Sequence, residues 1–421
     1  FYKKRYTCNP KSCKMLITTI NIKEGLQVQS NNIIKFLKLK DVTVNNVENL
    51  ENKIIISMKL KKPRPEICPH CGHHKLHYHD KRIQSIRDIP YNHKPVFFEL
   101  ERIRYTCPNC GKKTIKKPSF IIKDAQISQR LFLWILEEFR KVKSANDIAK
   151  ECGLSVTTIF RYIDKITPKR LKLPEVLCID EFKGDSGGIK YQVNIADGKN
   201  HQIVDILPTR YLNDLNAYFQ KIPREERAKV KYYVSDMNKT FKEIHDRFFP
   251  KSIHVIDNYH YIRQVSWSLE RVRKREQQTM EYKDRIFFKR SKSLLHKRNS
   301  KLTDEEKLRV ADMLDHNEAI RQAYYLKESF YKNVLSQKNK KGAREELDKW
   351  IKEAEEYGDK EWKPCITALN NWKEEILNTF NCKWSNGFVE GSHNRIKTIK
   401  RVSFGMPNFN HFRTKILLVF S

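Results

Sequence analysis

Apolar residues along this chain hold one period for a stretch and then change it, and the changes mark out its organisation. Residues 1–30 show little pattern. From Asn31 onward, Ile33-Ile34-Lys35-Phe36-Leu37 suggests a short helix and Ile54-Ile55-Ile56-Ser57-Met58 a strand. Val96 to Tyr105 alternates apolar and polar positions as a half-buried strand does. Over residues 127–166 the period becomes helical, with Leu131, Ile135, Phe139 and Val142 on one face. Ser144 can cap a second helix over Ala145 to Glu151, Gly153 supplies a tight turn, and Ser155 can cap a third helix through Ile159 and Tyr162. Two short helices across a Gly-containing turn fit a helix-turn-helix. Ile148, Leu154 and Ile159 would then be core, with Thr157, Thr158 and Arg161 facing DNA.

From Pro174 the chain changes to short apolar runs. Val176-Leu177-Cys178-Ile179, Tyr191 to Ala196 and Gln202 to Leu207 read as strands. A helix follows at Leu212 to Gln220, a strand at Val230 to Val234, a helix at Lys239 to Phe248 and a strand at Ile253 to Ile256. Three strands, a helix, a strand, a helix and a strand is the order of the ribonuclease H-like core. From about Val265 to Lys363 the chain is polar, charged and helical, and from Cys382 it returns to a compact, motif-bearing stretch.

Composition narrows the class. Of the 421 residues, 39% are hydrophobic and 11% aromatic, which excludes a wholly disordered chain. No run approaches the roughly 18 apolar residues that span a bilayer, and no signal peptide is evident, so a cytoplasmic location without membrane association is expected. Residue 1 is Phe, so the true start is expected to be missing or to lie elsewhere. The formal net charge of +33 would strain a compact fold unless a polyanion shared its surface, and nucleic acid is the commonest such partner. A Lys- and Asn-rich coding bias could raise the lysine count by itself, yet Asp and Glu have not risen with it.

Two groups of residues carry candidate chemistry. Cys68-Pro69-His70-Cys71-Gly72 and Cys107-Pro108-Asn109-Cys110-Gly111 are matched knuckles, each bending two thiolates toward one point. Together Cys68, Cys71, Cys107 and Cys110 would hold a structural Zn²⁺, with a hairpin excursion between the pairs as in a zinc ribbon. Since four thiolates close the site, His70, His73, His74, His77 and His79 are expected to face solvent or DNA. Cys8 and Cys13 are too loosely spaced to form a site. The second group is acidic. Asp180 ends the first core strand, Asp236 the fourth, and Glu390 sits just before an expected helix. Hard oxygen ligands suit a two-ion Mg²⁺ (or Mn²⁺) site for phosphoryl transfer. Glu181, on the opposite strand face, and Asp257, beside His260, are rivals; Asp257 would otherwise cap the next helix. Asn394, Lys397 and Arg401 recur at helical spacing, as a row of phosphate contacts or an ordinary solvated face would.

Pro174 to Gly184, Arg227 to Met237, Val255 to His260 and Ser385 to Lys400 resemble successive catalytic blocks of the ISL-three-type DDE transposases of bacterial insertion sequences. The cysteine pairs and the helix-turn-helix resemble that family's amino-terminal DNA-binding region. The resemblance implies an acidic triad of Asp180, Asp236 and Glu390. It also implies binding to the terminal inverted repeats of a mobile element and metal-dependent strand cleavage and transfer, by a homodimer or higher oligomer on double-stranded DNA. Glu390 lies 154 residues after Asp236, which implies a helical insertion. The expected fold class is multidomain α+β: zinc ribbon, helix-turn-helix, and a ribonuclease H-like α/β core interrupted by an all-helical insertion. The segments expected are an unassigned extension over 1–30, the ribbon domain over 31–120, the helix-turn-helix over 121–170, the core over 171–264 and 376–421, and the insertion over 265–375. A non-catalytic DNA-binding regulator derived from a transposase, or another ribonuclease H-like nuclease, are the alternatives; all three carboxylates favour the enzyme.

Overall fold

A computed structural model describes Leu37, Leu39 and residues 41–122, 125–166 and 168–421. The extension over 1–30, Cys8 and Cys13, and most of the helix expected at Ile33 to Leu37 lie outside the described residues. The chain packs as two compact units, one ending at Trp134 and the other spanning Ile135–Ser421.

The first unit is a five-stranded sheet. Strands β1 (Val42–Asn49), β2 (Ile54–Leu60), β4 (Lys94–Thr106) and β3 (His77–Tyr91) lie in that spatial order, with β5 (Lys113–Ile115) also paired to β4. The alternation expected at Val96 to Tyr105 is present: Val96, Phe98 and Leu100 turn inward onto Val42, Val44, Ile56, Met58 and Ile86. β3 has no such pattern because its first nine residues leave both faces largely uncovered, so cross-strand pairing with β4 rather than burial defines it. The hairpin closes through Asn92 and His93, both at positive φ as a tight two-residue turn requires.

Helix α1 (Gln129–Arg140) spans the boundary between the units. The helices α2 (Ala145–Cys152) and α3 (Val156–Ile163) follow as expected, capped by Ser144 and Ser155, whose side chains accept from the Asp147 and Thr158 amides, with Gly153 left-handed between them. Val142 falls two residues past the end of α1 rather than inside it. The reason lies in the last helix, α15 (Phe409–Val419): its buried Lys415 ammonium donates to the carbonyls of Phe139, Lys141 and Lys143 at 2.7, 2.7 and 2.9 Å, closing the end of α1.

The second sheet runs in the order β10 (Ile253–Ile256), β9 (Tyr232–Ser235), β6 (Val176–Ser186), β7 (Ile189–Asp197), β8 (Gln202–Leu207). β6, β7 and β8 are antiparallel neighbours, whereas β6, β9 and β10 are parallel. Val176 to Ile179 is a continuous apolar run because the sheet is covered on both sides. On one side Leu177 and Ile179 pack with Leu215 and Phe219 of α4 (Leu212–Gln220) and with Phe241 and Ile244 of α6 (Lys239–Phe248); the short helix α5 (Arg224–Arg227) lies between those two in the chain. On the other side Val176, Cys178, Val234 and Val255 meet Val389 of α14 (Gly387–Val402). Between β10 and α14 come seven helices: α7 (Asn258–Gln277), α8 (Tyr282–His296), α9 (Asp304–His316), α10 (Glu318–Ser329), α11 (Lys340–Tyr357), α12 (Lys363–Asn371) and α13 (Lys373–Asn378). They share one apolar core around Phe288, Phe330, Trp350 and Trp362, so the polar stretch is held from within by widely spaced large residues.

Replacing Lys415 with Met keeps the length of the side chain but leaves three carbonyls without their donor. The variant should unfold about 2–4 kcal/mol more easily in urea, the cost expected for orphaned buried acceptors. An unchanged midpoint would show that α1 is closed by other means.

Candidate active site

The sheet register brings three aspartates to one edge. Cys178 is paired with Val234 and Val234 with Val255. Asp180, Asp236 and Asp257 each lie two residues further along, level with one another. Asp236 and Asp257 directly follow β9 and β10, whereas Asp180 lies inside β6, which does not end there as expected because pairing with β7 carries it on to Ser186. Glu390 comes from the first turn of α14. That helix is docked at its amino end by Asn386, whose backbone N–H donates to Asp257 Oδ2 at 2.8 Å and whose side-chain amide donates to the Ile179 carbonyl at 3.4 Å. The Asn194 amide and the Ser392 hydroxyl, 2.8 Å apart, tie the next turn to β7.

The electrostatics follow from crowding like charges in a half-dry cleft. Burial, then the Asp236 charge, raises the Asp180 carboxyl to about 8, and Glu181 and Glu390 push the same way. Burial and then Glu181 raise Asp236 to about 6 against the pull of Arg263 and Arg210. Glu390 is raised by burial and by Asp257. The Oδ1 atom of Asp236 is buried with no hydrogen-bond partner. Ligand atoms of Asp257, His260 and Glu390 lie within 4.8 Å of one another. An edge this rich in carboxylate oxygen, with an orphaned acceptor, has the donor set that a hard divalent cation takes.

The two rival carboxylates have other partners. Glu181 turns to the opposite strand face, where Arg210 donates to both its oxygens at 2.9 and 2.8 Å. Asp257 caps α7 through Oδ1, which accepts from the Tyr259 amide at 3.0 Å, while Oδ2 holds Asn386. Sequence reasoning passed over His393 and Arg263. His393 Nδ1 lies 3.8 Å from Asp180 Oδ2, its Nε2 is buried without a partner, and burial lowers its pKa to about 4. Its spacing of three residues from Glu390 on one helix was the signal that could have found it. Arg263 stands one turn beyond His260 on α7, and its charge favours the ionised forms of Asp236 and Glu390.

The cysteine knuckles form a separate centre in the first unit. The Gly72 and Gly111 amides each donate at 2.9 Å to the carbonyl of the first cysteine in their knuckle, both glycines at positive φ. Cys68 and Cys110 sulfurs stand 3.8 Å apart and Cys71 and Cys107 sulfurs 3.6 Å, with all four inside 4.8 Å. A tetrahedron with Zn–S bonds of about 2.3 Å needs sulfurs about 3.8 Å apart, so the four thiolates fit structural zinc. Of the five nearby histidines, His70, His74, His77 and His79 are exposed and His73 is partly so. Among the other candidates Thr157, Arg161, Asn394, Lys397 and Arg401 are exposed, whereas Thr158 is half-buried and its hydroxyl lies 2.9 Å from that of Ser155.

Residues 177–416 match a transposase family model of the ISL3 group, and residues 64–110 match the zinc finger of transposases IS204/IS1001/IS1096/IS1165. The chain belongs to the ISL3 transposase family. A relative, the transposase for insertion sequence element IS1001 of Bordetella parapertussis, is 23% identical over 364 residues, covering 84% of this chain and 88% of that protein. The ISL3 transposase is a DNA-processing enzyme with DNA as partner, carrying a zinc ribbon in a mixed α+β chain. Among the described residues no helix is long and apolar enough to cross a membrane.

Two predictions follow from these centres. The purified transposase should contain one zinc per chain by elemental analysis, and the paired substitution Cys68→Ser and Cys71→Ser should abolish it; retained zinc in that variant would remove these thiolates as ligands. Raised carboxyl pKa values also fix a pH dependence. Asp180 takes up its proton near pH 8 when folded but near 4 when unfolded, so the folded state holds the extra proton between these values and stability falls as pH rises through that window. In chelator-treated protein with its zinc retained, the melting temperature should drop from pH 5.5 to 8.5. Asp180→Asn should flatten much of that slope and melt higher than the parent at pH 8.5. Parallel curves for the two proteins would show that Asp180 is not the group responsible.

Proposed function

We propose that this ISL3 transposase binds the terminal inverted repeats of an insertion sequence through its zinc ribbon and the α2–α3 pair, read as a helix-turn-helix. In the same reading its ribonuclease H-like core cleaves and joins DNA strands with Asp180, Asp236 and Glu390. The observation that carries it is the edge where Asp180, Asp236 and the helix-borne Glu390 all have raised carboxyl pKa values, Asp180 to about 8 with the Asp236 and Glu390 charges adding to burial, and Asp236 to about 6. The element order of the second sheet, three strands, a helix followed by the one-turn α5, a strand, a helix and a strand, supports the same reading. These three carboxylates would hold two Mg²⁺ (or Mn²⁺) ions, which when bound activate a water or 3′-hydroxyl and stabilise the leaving oxygen.

The chain's own residues supply the rest. Arg263 and Arg210 favour the ionised carboxylates that ligation needs, and Asn386 sets the pitch of α14 and thereby the reach of Glu390. His393, neutral because it is buried, sits beside Asp180 without adding a positive charge that would compete with cations. Strand nicking by water and strand transfer by the freed 3′-hydroxyl are both in-line displacements at phosphorus, so one centre serves both and no covalent protein–DNA intermediate is needed. Pairing two ends calls for a homodimer or higher oligomer on DNA, and Thr157, Thr158 and Arg161 on α3 with Asn394, Lys397 and Arg401 on α14 are the proposed DNA contacts.

The test separates binding from chemistry. Asp180→Asn, Asp236→Asn and Glu390→Gln proteins are assayed for footprinting on end-containing DNA and for cleavage and joining with Mg²⁺. Each should still protect the ends while cleavage falls at least about a thousandfold, the scale of lost electrostatic stabilisation at a phosphoryl-transfer centre. Full cleavage by Glu390→Gln would break the triad and direct attention to Asp257, the neighbouring carboxylate.

A further inference from the structure

The chain between α14 and α15 carries an aromatic ring in an unfavourable conformation that nothing in the fold rewards. Phe404 has φ of +52° and is 94% exposed, the highest value among the large apolar residues described. Gly405 follows at +88°, and its amide donates to the Lys400 carbonyl at 3.0 Å, ending the helix. Glycine suits that backbone, but a bulky residue one position earlier is strained by roughly 1–3 kcal/mol. The loop does not relax that strain by moving, because it is fastened to the end of β6. Ser186 Oγ donates to the Met406 carbonyl at 2.6 Å, the Gly187 amide donates to that of Pro407 at 2.7 Å, and the Met406 side chain is buried.

The ring borders a groove of about 710 Å³ lined by Lys183, Lys397, Lys400 and Arg401. Its one acid, Asp185, is already paired with Lys400 at 2.5 Å. A lone exposed apolar residue usually needs no explanation. A strained, rigidly mounted ring beside a row of cations selects a ligand with both phosphates and flat faces. Stacked duplex bases hide those faces, so the ring meets a base only where one has left the stack.

Two independent lengths locate that base. Fourteen residues of helix and cap separate Glu390 from Phe404, about 20 Å at about 1.5 Å per residue. Six residues of β6 separate Asp180 from the loop's anchor at Ser186, at most about 20 Å at about 3.3 Å per residue, since the strand is irregular between Lys183 and Ser186 with Asp185 at φ +49°. At about 3.4 Å per nucleotide this is roughly six nucleotides. Resting on the proposed DNA cleavage reading, we infer that Phe404 stacks on an unstacked base about six nucleotides from the scissile phosphate, while the basic groove holds the backbone beside it.

The test uses the full chain and end-containing DNA carrying 2-aminopurine singly at each position within about ten nucleotides of the cut. With the wild type, fluorescence should rise at one position near the sixth nucleotide. Phe404→Ala should lose that rise and bind about tenfold more weakly, the scale of one lost base–aromatic stack. Phe404→Trp should retain both, and a mismatch introduced at that position should restore binding by Phe404→Ala. Phe404→Gly should melt higher than the parent while binding as weakly as Phe404→Ala, which separates lost stacking from lost folding. Unchanged fluorescence and affinity in Phe404→Ala would overturn the inference. A lower oligomeric mass by light scattering, with fluorescence unaltered, would overturn it in favour of a contact between two copies of the chain. Failure of the wild type to bind end DNA would instead defeat the proposed function itself.

Discussion

Carboxylates forced together beside the parallel-paired segments of three strands are the constraint on which the second unit depends. Asp180, Asp236 and Asp257 share one level because β6, β9 and β10 pair in parallel, and parallel pairing requires crossover helices. Those helices, α4 and α6, cover one face and leave the other to α14, which brings Glu390. Each acid added makes the next harder to ionise, so the cluster persists only because the surrounding sheet and helices hold it against the repulsion. Stability is given up locally to keep an unneutralised cluster of acids in place.

The basic excess is not all displayed outward. Lys415 and Lys327 are both buried, and each ammonium closes carbonyls that helices leave open: Lys415 behind α1, Lys327 at the Leu295 and Lys297 carbonyls after α8. A lysine can do this where a neutral donor cannot, because three N–H groups on a long stem reach several acceptors at once. Net charge of +33 therefore overstates the surface field, though by little, and Lys397, Lys400 and Arg401 on α14 remain a local concentration of it.

Most of the fold was legible where a residue's neighbours in sequence decide its state. Ser144, Gly153 and Ser155 cap and turn as read because capping is a contact over two or three residues. The apolar runs of β6, β7, β8, β9 and β10 declared themselves because both sheet faces are buried. β3 did not, since its partner rather than its composition makes it a strand, and Val142 misled because the donor that ends α1 is 272 to 276 residues away at Lys415. At the candidate site Asp236 could be named from a strand end and Glu390 from a motif, while Asp180, expected to end its strand, lies inside β6 because pairing with β7 extends the strand to Ser186. Asp257 could be named but not assigned, because whether it caps a helix or binds a ligand depends on Asn386, far along the chain. His393 and Arg263 were invisible as partners until packing set them beside carboxylates from other elements.

The cysteine centre and the acidic edge differ in what must fold before they exist. Each cysteine knuckle is built by a local turn, with one glycine at positive φ and one amide returning to the first cysteine, so half of the zinc site is present in five residues. The long β3–β4 hairpin only has to bring the halves together, and metal binding itself contributes to closing it. The carboxylate edge has no such local part. Its members span Asp180 to Glu390, and the path between Asp257 and the glutamate runs through seven helices with a core of their own. No single turn brings those carboxylates together, so the acidic edge is assembled by packing. A thiolate site can drive folding, whereas this carboxylate site has to be carried by it.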